Sequence, residues 1–162
     1  MNYALTIIVP VYNEQDNLQR LEKELLKYLE IAAKPACVLL VNDGSTDDSL
    51  LMMKETCKRN PAFSYLSFVK NCGLSAAIKA GFDAATTPWV GYIDSDLQTD
   101  PEDFNALLAH AETYALVTGV RANRKDSFVK NMSSKIANGI RRAFTHDGMD
   151  DTGCPLKIIR TD

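Results

Sequence analysis

The sequence predicts a three-layer α/β/α fold with a mainly parallel central sheet, formed by a single domain over residues 1–162. Short runs rich in β-branched and other apolar residues alternate five times with longer runs of helical periodicity. The first short run, residues 4–12, is largely apolar instead of alternating, which is typical of a strand covered on both faces. Strands that alternate with helices in this way form a parallel sheet with helices on both sides.

The short runs predict five strands, at residues 4–12, 36–42, 63–69, 88–93 and 114–120. In a sheet of this class the crossovers are right-handed, and ligands bind beyond the carboxyl ends of the strands. Any polar residues that directly follow these strands are therefore the first candidates for a functional site.

The helices are placed by capping residues and by apolar spacing. Asn13 is expected to cap the first helix, and Ser45 or Thr46 to open the second. A helix rich in small residues is expected over 74–85, and the pair Asp100-Pro101 predicts a further helix start, because proline suits the first helical position. The buried face of the first helix is expected to comprise apolar residues at helical spacing, namely Leu18, Leu21, Leu25, Leu29 and Ala32.

Composition limits the classes of function. The chain is 46% hydrophobic and 24% charged, which is typical of a globular protein, and its net charge of −3 gives no general reason to expect nucleic-acid binding. Its four cysteines form no CxxC pair, so a zinc site is not expected, and a reduced, cytoplasmic setting fits best. We expect no signal peptide and no spanning helix, since no apolar run approaches the roughly 20 residues that a membrane span needs.

Polar clusters follow four of the five predicted strands. The strands end in the sequences PVYNE, VNDGSTD, YIDSDLQ and GVRANR. Because the carboxyl ends of parallel strands meet at one edge of a sheet, these clusters are expected to form one site. The alternative is that they are ordinary loops, which are polar in most proteins.

The third of these clusters contains two aspartates one residue apart. If the chain stays extended, Asp94 and Asp96 point to the same side and Ser95 to the other. Such a pair suits Mg²⁺ or Mn²⁺, which take one or two carboxylates together with phosphate oxygens, and Gln98 can add a neutral oxygen. The alternative is a solvated acidic turn that leads into the helix at Pro101.

The first two clusters offer residues that suit a nucleotide. Asp43 lies on a tight turn before Gly44 and can accept hydrogen bonds from a base or ribose, or it can simply fix its own turn. Tyr12 offers an aromatic wall, and Glu14 is an acceptor or merely a favourable acidic residue at a helix start.

Six segments, taken in order, resemble family 2 glycosyltransferases. They are TIIVPVYNE, VNDGSTD, KNCGLSAAIKAGFDAAT, YIDSDLQTDPE, GVRANR and DTGCPLKIIR, and they cover nearly the whole chain. The pattern is most similar to the branch that includes dolichol-phosphate mannose synthase and bacterial polyprenyl-phosphate glycosyltransferases. The resemblance implies a GT-A, Rossmann-like fold and an inverting, metal-dependent transfer from a UDP- or GDP-sugar, with Mg²⁺ or Mn²⁺ as cofactor.

The resemblance also implies roles for single residues. Gln98 joins Asp94 and Asp96 as a metal ligand, Arg121 belongs to the loop over the diphosphate, and Asp96, Asp151 and Arg121 are the catalytic candidates. Residues expected to bind the nucleotide sugar are Pro10, Tyr12, Glu14, Asp43, Asp94 and Ser95.

Two positions depart from the family pattern. Asn42 stands where many members have Asp, and Cys154 where some have Asp, so Asp151 is the acidic residue carried over as a candidate base. An alcohol acceptor would need such a base, whereas a polyprenyl phosphate is already ionised.

The segment 127–144 is basic and amphipathic, with apolar residues at helical spacing among lysines and arginines. It is expected either to contact an anionic membrane surface or a lipid phosphate, or to be an ordinary surface helix. The resemblance predicts a polyprenyl phosphate or a growing cell-surface glycan as acceptor, at the inner face of the membrane. Family members continue beyond the last motif, so a C-terminally truncated chain is expected.

Four other classes are weighed against this interpretation. A haloacid dehalogenase-type phosphatase also has DxD after a strand, but normally early in the chain. A dinucleotide oxidoreductase would need G-x-G-x-x-G after the first strand, and a receiver domain would need an Asp at the end of the third; both are absent. A non-catalytic nucleotide-sugar-binding fragment stays open.

Overall fold

The part of the chain that the structure describes contains one six-stranded sheet. The computed structural model describes residues 2–120 and 154–161. The strands are β1 (Leu5–Val11), β2 (Ala36–Asn42), β3 (Phe63–Ser67), β4 (Trp89–Tyr92), β5 (Leu116–Thr118) and β6 (Lys157–Arg160). The α-helices are α1 (Gln15–Ile31), α2 (Ser49–Arg59), α3 (Leu74–Ala84) and α4 (Phe104–Ala111), and a short 3₁₀ helix, Pro101–Asp103, precedes α4.

The strand order is β3-β2-β1-β4-β6-β5. Strand β1 pairs in parallel with both β2 and β4, and β2 pairs in parallel with β3. The chain therefore builds the sheet outward from β1 in one direction and then crosses to its other side at β4. Such a reversal leaves a crevice at the carboxyl ends of β1 and β4, which is where ligands bind in open α/β sheets.

Strand β6 was not predicted, and it separates β5 from β4. It pairs antiparallel with β4, from Trp89 opposite Arg160 to Tyr92 opposite Lys157. The sequence KIIR has only two apolar residues between two charged ones, so it carries no strand periodicity of its own. Its pairing with β4, far away in sequence, is what makes it a strand.

Two predictions for α1 were wrong. Glu14, not Asn13, occupies the N-cap position, and Asn13 adopts a left-handed conformation with φ of 54°. The buried face ends at Tyr28 instead of Leu29 and Ala32, because the spacing from Leu18 through Leu21 and Leu25 continues at three residues, not four.

The predicted start of the second helix at Ser45 or Thr46 was wrong, since Asp48 is its N-cap residue, whereas the predicted start at Asp100-Pro101 is confirmed. Helix α2 begins at Ser49, later than expected, and the Ser49 N–H donates to Asp47 Oδ1 at 3.0 Å. Asp100 accepts from the N–H of Glu102 at 2.9 Å with Pro101 in the first helical position, as the sequence predicts.

In the described residues, the buried apolar side chains come from successive positions of the strands and from the helices that pack on the sheet. Helix α3 packs closely on β1, since a Cβ built on Gly81 would lie 2.6 Å from Ile8 Cγ2. Residues Met1–Val117 and Pro155–Asp162 form one compact unit; of the second unit, Thr118–Cys154, the structure describes only 118–120 and 154. The single-domain organisation stays a prediction. In the described residues, no helix is long and apolar enough to cross a bilayer.

Candidate functional site

A cleft of about 280 Å³ opens at the carboxyl ends of β1, β2 and β4, beside the N-terminus of α3. The crevice predicted from the strand order is therefore present, and it lies wholly within the first compact unit. Its lining residues are Pro10, Val11, Tyr12, Glu14, Asp43, Asn71, Gly73, Leu74, Asp94, Ser95 and Asp96.

The structure brings together most of the residues singled out in the sequence. All six predicted nucleotide-sugar residues line the cleft, and so does Asp96. Gln98 does not line it. Arg121, Arg124, Asp151 and the segment 127–144 lie outside the described residues, so their roles stay predictions.

The segment that carries the two aspartates turns instead of staying extended. Ser95 and Asp96 lie in a turn, and Leu97 takes a positive φ of 55°. The condition for the expected alternation of side chains, an extended chain, is therefore not met, and all three residues line the cleft. The N–H of Gln98 donates to Asp96 Oδ1 at 3.1 Å and closes the turn.

Asp94 is held by a neighbour on the preceding strand. The Tyr92 hydroxyl donates a hydrogen bond to Asp94 Oδ1. Tyr92 is 8% exposed, and burial, followed by the hydrogen bond to Asp94 and the charges of Asp94 and Asp96, raises the pKa of the phenol above its ordinary value. The phenol therefore stays protonated at neutral pH and acts as a donor.

Asp43 binds a neighbouring loop. Its Oδ1 accepts from the N–H of Cys72 at 2.7 Å, and its Oδ2 accepts from the N–H of Gly73 at 2.9 Å. The two loops are in close contact, because a Cβ on Gly44, whose φ is 68°, would lie 2.2 Å from the carbonyl carbon of Lys70. Asp43 thus fixes the loop after β3 as well as lining the cleft.

Asn42, one of the departures from the family pattern, has a structural role here. Its Nδ2 donates to Ser67 Oγ at 2.9 Å, and its Oδ1 accepts from the N–H of Ser45 at 3.0 Å. A carboxylate at this position would have no hydrogen to donate to Ser67. The amide therefore links the ends of β2 and β3 directly.

Tyr12 and Glu14 are positioned by hydrogen bonds between the loops after β1 and β2. The N–H of Asn13 donates to Ser45 Oγ at 3.0 Å, and Asn13 Oδ1 accepts from the N–H of Thr46 at 2.8 Å. The N–H of Glu14 donates to Ser49 Oγ at 2.9 Å. Tyr12 remains 47% exposed, so part of its side chain is accessible to a ligand.

Sequence reasoning missed the cleft residues that follow β3. Asn71, Gly73 and Leu74 line one wall, and Gly73 is the N-cap residue of α3 with φ of 92°. The signal was present, since a polar segment, Lys70-Asn71, follows this strand as polar segments follow the others. Gly73 lies in the segment KNCGLSAAIKAGFDAAT, for which the family resemblance supplied no candidate site residue.

The lining of the cleft is strongly acidic. Glu14, Asp43, Asp94 and Asp96 contribute carboxylates, and no lysine or arginine is among the described lining residues. An anionic ligand such as a diphosphate would be repelled unless a cation accompanied it.

A divalent cation fits this set of donors. In the described part of the chain, no three His, Cys, Asp or Glu side chains form a group that would hold a metal by themselves. Two carboxylates, Asp94 and Asp96, together with a hydroxyl at Ser95, supply only hard oxygen atoms. Mg²⁺ and Mn²⁺ typically bind through one or two carboxylates plus the phosphates of a substrate, so a complete protein cage is not required.

Comparison with known proteins identifies the class. Residues 6–160 match Glycosyl transferase family 2, and the chain belongs to this family. The haloacid dehalogenase-type alternative is therefore wrong.

Several solved structures share the fold. Glucosyl-3-phosphoglycerate synthase from Mycobacterium tuberculosis in complex with UDP aligns with a TM-score of 0.73 at 16% identity, over 98% of this chain and 57% of that one. A mannosyltransferase from Pyrobaculum calidifontis in complex with GDP-Man and Mn²⁺ aligns with a TM-score of 0.65 at 21% identity, over 99% and 45%. S. aureus TarS 1-349 aligns with a TM-score of 0.62 at 22% identity, over 99% of this chain and 47% of that one.

These alignments confirm the predicted GT-A fold with its mainly parallel sheet. The chain spans 57% of the length of the mycobacterial synthase and less than half of the other two.

Proposed function

We propose that the cleft binds the nucleotide and diphosphate of a UDP- or GDP-sugar, and that the protein transfers the sugar to an acceptor with inversion at the anomeric carbon. The observation that carries the proposal is the convergence of Tyr12, Asp43, Asp94 and Asp96 in one cleft at the switch point of a family 2 domain. Structures with the same fold hold UDP or GDP-mannose, which supports a donor of this class.

In the proposed complex the nucleoside lies on the β1–β2 side of the cleft. The partly exposed ring of Tyr12 stacks on the base, as aromatic rings do with nucleobases. Asp43, held by the N–H groups of Cys72 and Gly73, has remaining lone pairs with which to accept from the base or ribose.

The diphosphate lies on the β4 side, beside Asp94 and Asp96. A divalent cation bound there would neutralise the charge that develops on the leaving nucleoside diphosphate. Asp94 and Asp96 would hold the cation, and Mn²⁺ in complexes of proteins with the same fold supports this role. The part of Gln98 in the metal site stays a prediction, and its side chain would have to turn toward the cleft.

The acceptor and the base are proposed from the resemblance. A polyprenyl phosphate or a growing cell-surface glycan is the proposed acceptor, which corresponds to the dolichol-phosphate mannose synthase branch. Asp151 is the proposed base for an alcohol acceptor, and Arg121 the proposed donor to the diphosphate.

Calorimetric titration with UDP and with GDP, each with and without Mn²⁺, tests the proposal. We expect one nucleotide to bind in the presence of Mn²⁺ and Asp96→Ala to abolish that metal dependence. Asp83→Ala is the matched control, because Asp83 lies on α3 in an exposed ion pair with Lys79 and is not among the lining residues. If wild-type protein bound neither nucleotide with or without Mn²⁺, or if both variants behaved alike, the proposal would be wrong.

A second candidate function is binding of a nucleotide sugar without catalysis, as in a non-catalytic fragment. A measurement of turnover distinguishes it from the transferase. The chain spans only part of its solved neighbours, so binding and transfer need separate measurements. Release of nucleoside diphosphate from the bound sugar nucleotide in the presence of a polyprenyl phosphate supports the transferase. Binding without release under those conditions supports the fragment.

A further inference from the structure

Asp94 directly follows the last residue of the β4 segment whose backbone is hydrogen-bonded to β1. The N–H of Ile93 donates to the carbonyl oxygen of Ile8 at 3.2 Å, which is the last described backbone hydrogen bond from this segment to β1. From Ser95 the chain enters a turn. Backbone pairing to β1 therefore does not restrain Asp94. The orientation of its carboxylate depends on side-chain contacts instead.

Tyr92 is well suited to supply that contact. It pairs with Ile8 of β1 on one side and with Lys157 of β6 on the other, so its backbone is held by two strands. Its side chain is 8% exposed and is not among the residues that line the cleft. Within the described residues, the hydrogen bond that links its hydroxyl to a residue of the cleft is the one it donates to Asp94.

We propose that Tyr92 is a positioning residue for the metal subsite, whose hydroxyl holds Oδ1 of Asp94 so that Oδ2 faces a divalent cation. The inference rests on the function proposed above. Partners behind a metal ligand orient it in advance, and removing them typically weakens metal binding by 10–100-fold.

The second carboxylate is restrained in the same way by a different donor. Asp96 Oδ1 accepts from the N–H of Gln98 at 3.1 Å. Each aspartate thus has one oxygen engaged by the protein, and within the described residues its other oxygen accepts no hydrogen bond. Two carboxylates that each offer one oxygen leave the remaining coordination positions of Mg²⁺ or Mn²⁺ to phosphate and water.

The variant Tyr92→Phe tests the inference, because it removes one oxygen and keeps the ring. Tyr28→Phe is a matched control: the Tyr28 hydroxyl is also buried, and it has no hydrogen-bond partner in the described part of the structure. Mn²⁺ affinity is measured from the electron paramagnetic resonance signal of free Mn²⁺, with the nucleoside diphosphate that binds best present at saturation. Nucleotide affinity without metal is measured by calorimetry, and thermal melting shows that each variant is folded.

We expect Tyr92→Phe to weaken Mn²⁺ binding about tenfold, with wild-type nucleotide affinity in the absence of metal. Tyr28→Phe should match the wild type in both. In an Asp94→Ala background, Tyr92→Phe should cause no further loss, because its partner is already gone. Should Tyr92→Phe fail to fold, Tyr92→Met, which also lacks the donor, takes its place.

Three outcomes would overturn the inference. Wild-type Mn²⁺ affinity in Tyr92→Phe would show that the hydroxyl does not position the carboxylate. An equal loss of metal and metal-free nucleotide affinity would show a general loosening of the fold. A further tenfold loss in the Asp94→Ala background would show an effect that bypasses Asp94. If instead wild-type protein bound neither Mn²⁺ nor nucleotide, the proposed function itself would fail, and the inference with it.

Discussion

Replacing Asp43 by Asn should destabilise the protein more than the same change at Asp47, a more accessible aspartate that also accepts two backbone N–H groups. Asp43 is 3% exposed and accepts the N–H groups of Cys72 and Gly73 at 2.7 and 2.9 Å. An Asn side chain can accept only one of them, and its NH₂ group would then face the other N–H, donor against donor. One hydrogen bond to a charged acceptor would be lost and a buried donor left unpaired.

The size of the effect follows from these contacts. A hydrogen bond to a charged group contributes about 1.5–3 kcal/mol, and leaving a buried donor unpaired costs about 1–3 kcal/mol. The two contributions overlap in part, so we expect Asp43→Asn to lower the free energy of unfolding by about 2–4 kcal/mol. For a domain of this size that corresponds to a fall in melting temperature of roughly 5–15 °C.

Asp47→Asn is the matched control. Asp47 also accepts two backbone N–H groups of neighbouring residues, from Gln15 at 3.2 Å and Ser49 at 3.0 Å, but close to solvent. Water can replace a lost partner there, so we expect a cost of at most about 1 kcal/mol. Urea denaturation of both variants, followed by circular dichroism, gives the two free energies. Equal costs for the two variants, or a cost for Asp43→Asn below about 0.5 kcal/mol, would refute the role assigned to the Asp43 carboxylate.

Three further predictions concern packing and thiol chemistry. Gly44→Ala should lower the free energy of unfolding by about 2–5 kcal/mol, because it adds positive-φ strain to a 2.2 Å contact with loop backbone; urea denaturation measures this. Gly91→Ala should cost about 1–3 kcal/mol, since its Cβ would lie 2.8 Å from a buried phenylalanine ring of α4; a melting temperature equal to that of the wild type would contradict this. Burial raises the pKa of the Cys37 thiol, whereas Cys72 is exposed, so Cys72 should react faster with a thiol reagent at pH 8. The labelling phase that is lost in Cys72→Ser should therefore be faster than the phase that is lost in Cys37→Ser.

The parts of the fold that depend on local sequence were predictable. The run 4–12 contains β1, and the run 36–42 coincides with β2, because buried parallel strands read as continuous apolar segments. The Asp100-Pro101 helix start was also correct, since capping depends on adjacent residues. What the sequence could not show was β6, whose pairing partner is distant in the chain.

In the cleft, too, features set by local sequence were predictable, and features set by contacts between distant segments were not. The position of Tyr12, Asp43 and the two aspartates after parallel strands predicted that they would meet, and they do. The turn at Ser95 was not predictable from a pattern that assumed extended backbone, since a positive φ at Leu97 is unusual for such a residue. Contacts between different loops, such as those that Asp43 makes with the loop after β3, arise only when the strands are assembled.

A crystal structure of the protein with Mn²⁺ and the nucleoside diphosphate that binds best would test the central claim most directly. We expect the base against Tyr12, the diphosphate beside Asp94 and Asp96, and Mn²⁺ bound by one oxygen of each of these two aspartates. Nucleotide bound elsewhere on the protein, with the cleft at the ends of β1 and β4 vacant, would contradict the assignment of this cleft as the donor site.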